Sequence, residues 1–255
     1  MLLPYPEFGA INTTNNDGKS WYNAGQFNLQ KRFSGGYTLG VAYTYSKWTQ
    51  ATEYLNPADP QPTKMISDLD VTNRLSLSGI YSFPFGNGRR FLSDANGVVE
   101  GIIGGWQLQG VYTYQTGFPI FFTTDIFYNG GTIVLDNSTT AKWFDTTPFT
   151  SILTNTGTNA TPVNHLRTLP TRFTDVRSDS INNLDLSLLK DVRLHGNMRA
   201  QFRAEFINAL NHPYLAAAAR SAPVTNPTQS TFGQVTNSNQ ANYPRRAQLG
   251  IKILF

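Results

Sequence analysis

The segment Arg246-Ala247-Gln248-Leu249-Gly250-Ile251-Lys252-Ile253-Leu254-Phe255 leaves few choices of fold. Ala247, Leu249, Ile251, Ile253 and Phe255 share one parity, and Arg246, Gln248, Gly250 and Lys252 share the other. Period two marks a β-strand with one apolar and one polar side. The pattern stops on an aromatic ring, which is rare for a soluble domain.

The same alternation recurs, so strands are also expected over 20–33, 37–47, 71–83, 105–116, 183–194 and 198–206, seven in all. In the first, Trp21, Phe27, Leu29 and Phe33 oppose Tyr22, Gln26, Asn28, Gln30 and Arg32. Asn23 and Lys31 interrupt the apolar side, and Lys31 sits where a long stem can snorkel out of lipid. In the second, Tyr37, Leu39, Val41, Tyr43 and Tyr45 oppose Thr38, Gly40, Ala42, Thr44 and Ser46. A strand of that length, tilted near 45°, spans roughly 24 Å, the height of a barrel's apolar band. The third sets Leu75, Leu77, Tyr81 and Phe83 against Arg74, Ser76, Ser78 and Ser82, with Ile80 on the polar side. An arginine facing mid-bilayer lipid costs about 2–4 kcal/mol, so the parity of Arg74 supports this assignment. The fourth opposes Trp106, Leu108, Tyr112 and Tyr114 to Gln107, Gln109, Thr113 and Gln115. The fifth alternates cleanly except at Leu189 and Lys190, and the sixth sets Met198, Ala200, Phe202, Ala204 and Phe206 against Arg199, Gln201, Arg203 and Glu205.

Tight turns separate some strands, at Ser34-Gly35-Gly36 and His195-Gly196-Asn197, while long polar segments over 48–70, 117–180 and 207–244 separate others. A short helix is expected at Ala216–Ala219. Short turns alternating with long loops are the periplasmic and extracellular ends of an outer-membrane barrel. The expected fold is all-β: a transmembrane antiparallel β-barrel, represented by about seven C-terminal strands with long extracellular loops. Single-chain bacterial barrels have even strand numbers, so more strands are expected upstream. Residues Met1–Phe8 lack a basic region followed by an apolar one, so they are not a secretory signal peptide. The expectation is that 1–255 is a partial barrel, with signal peptide and plug encoded before it.

Bulk properties agree. Charged residues make up 14% of the 255, against roughly a quarter in soluble domains, and aromatics make up 13%. No run of about 18 apolar residues exists, which excludes transmembrane helices but not strands. Cysteine is absent, so disulfides and thiolate metal sites are excluded. The net charge of +4 is scattered, which gives no support to a nucleic-acid partner.

Several segments resemble the C-terminal barrel of TonB-dependent receptors, of the type with a carboxypeptidase-regulatory-like N-terminal domain. They are Pro4-Tyr5-Pro6-Glu7-Phe8, Tyr22-Asn23-Ala24-Gly25-Gln26, Lys31-Arg32-Phe33-Ser34, Tyr43-Thr44-Tyr45-Ser46-Lys47 and Asn73-Arg74-Leu75. They continue with Phe83-Pro84-Phe85-Gly86-Asn87-Gly88-Arg89, Gly105-Trp106-Gln107-Leu108, Thr116-Gly117-Phe118-Pro119 and Phe202 through Pro213. The resemblance implies a 22-stranded barrel with an N-terminal plug, energised through TonB. It implies outer-membrane lipid, the barrel-assembly machinery, the plug, TonB and an unidentified extracellular ligand as partners. It also makes Phe255 the barrel-closing C-terminal aromatic.

Arg74, Gln107, Gln109, Arg199, Arg203 and Glu205 are the candidate residues facing ligand or plug, weighed against a purely structural polar lumen. Gly86-Asn87-Gly88 lacks the third glycine and the βαβ unit of a dinucleotide site and reads as a turn. His165, His195 and His212 lack metal-ligand spacing, and Asp68 with Asp70 lacks the calcium-loop pattern. No nucleophile elbow occurs, so no enzyme, metal or cofactor is expected. Trp21, Tyr45, Trp48, Phe83, Trp106 and Tyr112 read as an interfacial aromatic girdle. The function expected is the barrel part of a nutrient-importing receptor for a ligand such as a glycan fragment, peptide or metal chelate. The alternatives are a structural or adhesive barrel that transports nothing, and a soluble β-sandwich binding module.

Overall fold

The computed structural model describes residues 14–56, 58–122, 127–150, 166–167, 169–196, 198–215, 223–227, 229–235 and 240–255. The Pro4–Phe8 segment, His165, Asn197 and the Ala216–Ala219 run lie outside the described residues. The elements are β1 (Lys19–Ser34), β2 (Tyr37–Ala51), β3 (Met65–Ile66), β4 (Asn73–Ser82), α1 (Gly97–Ile103), β5 (Trp106–Gln115), β6 (Pro119–Phe121), β7 (Phe127–Tyr128), β8 (Phe149–Thr150), β9 (Arg172–Arg177), β10 (Ile181–Arg193), β11 (Arg199–Ile207) and β12 (Arg246–Leu254). One antiparallel sheet runs in the order β1-β2-β4-β5-β10-β11-β12, with β3 added to β2. The seven expected strands are its seven long members. The sheet is open: β1 and β12 are its two edges.

The period-two pattern sets the register. Leu29, Val41, Leu77, Tyr112 and Leu184 are successive cross-strand partners, and so are Leu188, Ala204 and Leu249. The other parity aligns Asn28, Ala42, Ser76, Thr113 and Asn183. One face is thus a continuous apolar field and the other a polar one, and a one-residue slip would exchange them. The apolar face stays exposed within the chain: Leu249 is 81% accessible and Ile251 71%. In water such a field would be a severe liability, whereas in lipid it is the required surface.

Four cations share the apolar parity: Lys19 and Lys47 at the loop end, Lys31 and Lys190 toward the turn end. Lys31 donates to the Ser34 carbonyl at 2.8 Å and rests over Tyr37 at 3.5 Å, the snorkelling expected of it. Lys190 lies between Trp106 and Phe202 and donates to the Gly104 carbonyl beyond the strand end. Its neighbour Leu189 faces the polar side, between Gln107 and Arg203. Ile80 also lies on the polar side, beside Thr38 and Gln109, as its parity requires.

The aromatic girdle needs correcting at two positions. Trp48 is on the polar parity, edge-on to Tyr22 at 5.9 Å, with its indole donating to Ser20. Tyr112 sits mid-strand opposite Leu77 rather than near an end. Tyr45 and Trp21 remain at the loop end of the apolar face, and Tyr37, Tyr81, Phe83 and Trp106 at the turn end. From the row of Trp106 to that of Tyr45, the rise at a 45° tilt is roughly 23 Å.

The buried core lies outside this sheet. Ile120, Phe122, Ile133, Phe144, Phe149, Leu169 and Val176 form it, with Tyr128, Trp143, Phe173 and Phe232 packed around. All but Phe232 come from the β5–β10 loop, expected only as a polar segment. It folds instead into the short pairs β6–β9 and β7–β8.

Candidate functional site

Two surfaces can meet a solute. The first is the polar face of the sheet. There Gln109 donates to Gln107 at 2.9 Å, and Gln107 to Ser82 at 3.2 Å. One strand away, Arg203 pairs with Glu205 at 3.3 Å, and Gln201 donates to Asp191 at 2.9 Å. Ser187 of β10 stands in register between Gln109 and Glu205. Gln107, Gln109, Arg203 and Glu205 therefore occupy two adjacent cross-strand rows. Arg203 and Glu205 line a recess of ≈ 270 Å³ with Gln201, Gln248 and Lys252. Arg199 lies beyond it, opposite Arg193 at the turn end. Arg74 stands near the loop end beside Gln115 and Thr44, so these six residues do not form one cluster. Phe255 is 90% exposed, continuing the apolar parity of β12 past its pairing with β11.

The second surface is the cap made by the three long loops at one end of the sheet. Its centre is Phe122, 0% exposed, with Phe144, Phe149 and Phe173 ring centroids at 5.4, 5.6 and 5.5 Å. Fully burying such a side chain contributes about 1.5–3 kcal/mol. The β11–β12 loop joins by inserting Phe232, 5.4 Å from Phe144, and by the Gly233 carbonyl, which accepts from the Trp143 amide at 2.7 Å.

The β2–β4 loop is latched to the cap by charge. Asp70 is wholly buried and accepts from Arg177 at 2.6 Å, from the Trp48 amide at 2.5 Å and from Thr72 at 3.1 Å. Arg177 also donates to the Gly117 carbonyl at 3.1 Å, and its own carbonyl accepts from the Trp143 indole at 2.7 Å. Asp70's oxygens are thus engaged by protein donors. A second latch pairs buried Arg172 with Glu53 at 2.7 Å, with the guanidinium 4.9 Å from the Phe121 ring. A third joins Asn56 to the backbone of Arg167, at 2.6 and 3.1 Å. Asp179 accepts from the Leu215 amide at 2.7 Å, tying the β5–β10 and β11–β12 loops together. Burial, with the Asp179 carboxylate beside it, pushes the Tyr214 phenol up. A groove of ≈ 140 Å³ opens on the cap, lined by Trp143, Ser138, Asp175 and Arg177 among others.

Sequence reasoning missed Asp70, Arg177, Glu53 and Arg172 as pairs. The partners stand 107 and 119 positions apart, and no local spacing marks them. His195 lies in the β10–β11 turn and His212 in the loop after β11, at opposite ends of the sheet. The motif residues turn out to be scaffold. A Cβ on Gly117 would meet the Ser178 carbonyl at 1.9 Å, and one on Gly105 the Asp191 carbonyl at 2.3 Å. Asn208 and Asn211 adopt φ of 50° and 52°, and the Asn208 side chain bridges His212 and the Tyr243 carbonyl, closing the stem of the third loop.

An antiparallel sheet with an apolar outer field, a polar inner face, short turns at one end and folded loops at the other defines a membrane-spanning β-barrel wall. The family described as "Outer membrane beta barrel domain" matches residues 1–248, and the chain belongs to it. It is accordingly a protein of the outer membrane. No curated protein and no solved structure gives a match.

Proposed function

We propose that this chain is the C-terminal wall and extracellular cap of a TonB-dependent receptor that imports a nutrient. The observation that carries the reading is the cap: the β5–β10 and β11–β12 loops share one aromatic core, and the β2–β4 loop is latched to it by buried charge. Such a mouth is rigid enough to present a defined ligand surface. The polar inner face, with its Gln107–Gln109 ladder and Arg203–Glu205 pair, suits a lumen that holds a plug or passes a hydrophilic solute. The open sheet supports additional strands, because unpaired edges are not tolerated in hydrocarbon. In this reading the chain binds and passes its ligand and catalyses no reaction. The motifs resembling those of the receptors add to the case, although Gly105, Gly117 and Asn208 serve the scaffold.

The test joins two measurements on isolated outer membranes. An antibody against residues 117–180 should detect a polypeptide several-fold larger than 28.3 kDa. The same polypeptide should be retained by the immobilised periplasmic domain of TonB. Outer-membrane localisation without TonB retention would overturn the import reading in favour of an adhesive or structural barrel.

A further inference from the structure

The β4–β5 connection, residues 83–105, lies at the turn end of the sheet, which is the periplasmic end in an outer-membrane barrel. It is not a plain turn. It carries α1, capped at Asn96, whose side chain accepts from the Val99 amide at 3.0 Å. None of α1 is buried: Val98 is 74% exposed and Ile102 66%. Phe91 and Leu92, just before it, are 47% and 51% exposed. Leu92 has φ 58°, a conformation bulky residues rarely adopt.

The position of α1 is fixed from the apolar side of the wall. Trp106, on the lipid-facing parity, donates its indole N–H to the Ile102 carbonyl at 2.8 Å. Lys190, on the same parity, donates to the Gly104 carbonyl. The C-terminal end of α1 is therefore tied to the outer face of the barrel at its periplasmic rim, continuous with the lipid-contacting field. The one acid of α1 is turned to the loop itself: the Glu100 carboxylate accepts from the Asn87 amide at 2.6 Å. Arg89 and Arg90 flank the apolar patch, with Arg90 5.4 Å from the Phe91 ring.

We propose that this connection is a membrane foot, with Phe91, Leu92, Val98 and Ile102 seated in the phospholipid leaflet that faces the periplasm and Arg89 and Arg90 at its phosphates. A short amphipathic element lying in the interface plane gains from apolar burial and from cations beside lipid phosphate. The proposal rests on the family assignment and the outer-membrane location, and it is independent of whether the barrel imports anything.

These 255 residues contain no cysteine, so Val98→Cys, with any cysteine elsewhere in the full polypeptide replaced by serine, gives a single attachment point for an environment-sensitive fluorophore. The full outer-membrane protein carrying this substitution is reconstituted in vesicles of phosphatidylethanolamine and phosphatidylglycerol. The expected result is a blue-shifted emission, several-fold weaker quenching by aqueous iodide than in detergent-free urea, and strong quenching by nitroxide placed near the lipid headgroup. Arg89→Ser with Arg90→Ser should reduce the nitroxide quenching in the same vesicles. Strong iodide quenching with no lipid-borne quenching would place α1 in the periplasm and overturn the proposal. Shielding from both quenchers would mean that protein covers it, which overturns it equally. Ser78→Cys, on the polar face, serves as the non-lipid control, and heat-modifiable mobility of each variant establishes that the barrel has folded.

Discussion

The wall and the cap use the same kinds of side chain in opposite ways. In the wall, Leu249, Ile251 and Phe202 point away from the protein and remain accessible. In the cap, Phe122, Phe144 and Leu169 turn inward and are nearly inaccessible. The difference is the solvent. Lipid accepts apolar side chains without a core, and the wall's backbone satisfies itself through strand pairing. The cap stands in water, so its apolar groups need one another, and its buried charges need partners. The wall is thus held by register and the cap by packing.

The comparison breaks most sharply at the cap core. Phe122→Ala should cost about 3–5 kcal/mol of cap stability. Limited proteolysis should then cut within 117–180 while the barrel keeps its heat-modifiable mobility in a detergent gel. Loss of both together would show that wall and cap are one cooperative unit. Next is the latch: Asp70→Ala strands Arg177, and removing one partner of a buried pair costs about 3–5 kcal/mol, here nearer about 3 because Arg177 keeps some access to water. Hydrogen exchange should rise in both 52–72 and 172–180, whereas an effect confined to one loop would remove the latch from the account.

In the wall, parity is the sharper probe. Leu77→Arg at the middle of the lipid face should cost about 2–4 kcal/mol in denaturant titrations of vesicle-embedded protein. The adjacent Ser78→Arg, on the lumen side, should cost much less. Equal effects would mean that the two faces do not meet different media. The smallest effect is electrostatic. Hydrogen bonds from Lys142 and then Thr147 hold the Asp145 carboxyl below its ordinary value. A lowered folded-state pKa contributes stability that is complete above the unfolded value and is lost as pH falls through the folded one. The acid-induced change in near-UV circular dichroism of the cap should therefore come at slightly higher pH, or lose this component, in Asp145→Asn.

The strands were legible because alternation is local and long. Arg74, Ser76 and Ser78 against Leu75 and Leu77 can be read from five consecutive letters. The lumen parity of Gln107, Gln109, Arg199, Arg203 and Glu205 followed, but their distribution did not. Only pairing to intervening β10 puts Arg203 and Glu205 near Gln107 and Gln109 while leaving Arg74 toward the opposite end. Trp48 misled because an aromatic near a strand end says nothing about its face until the register with Tyr22 and Ser20 is known. Exposed α1 was not legible, since a helix of seven residues carries little periodicity.

The sequence by itself determined the seven long strands, which side of each meets lipid, and the tight turns after β1 and β10, because each of these is encoded by neighbours in the chain. Tertiary structure alone decided that the long polar segments have a common core. Phe122, Phe144 and Phe232 belong to short strands and turns with no period, and Asp70 meets Arg177 across 107 positions. Such contacts join residues far apart in sequence, and pairing in the wall places the loop stems at one rim, which shortens the chain each loop must close for its apolar groups to meet.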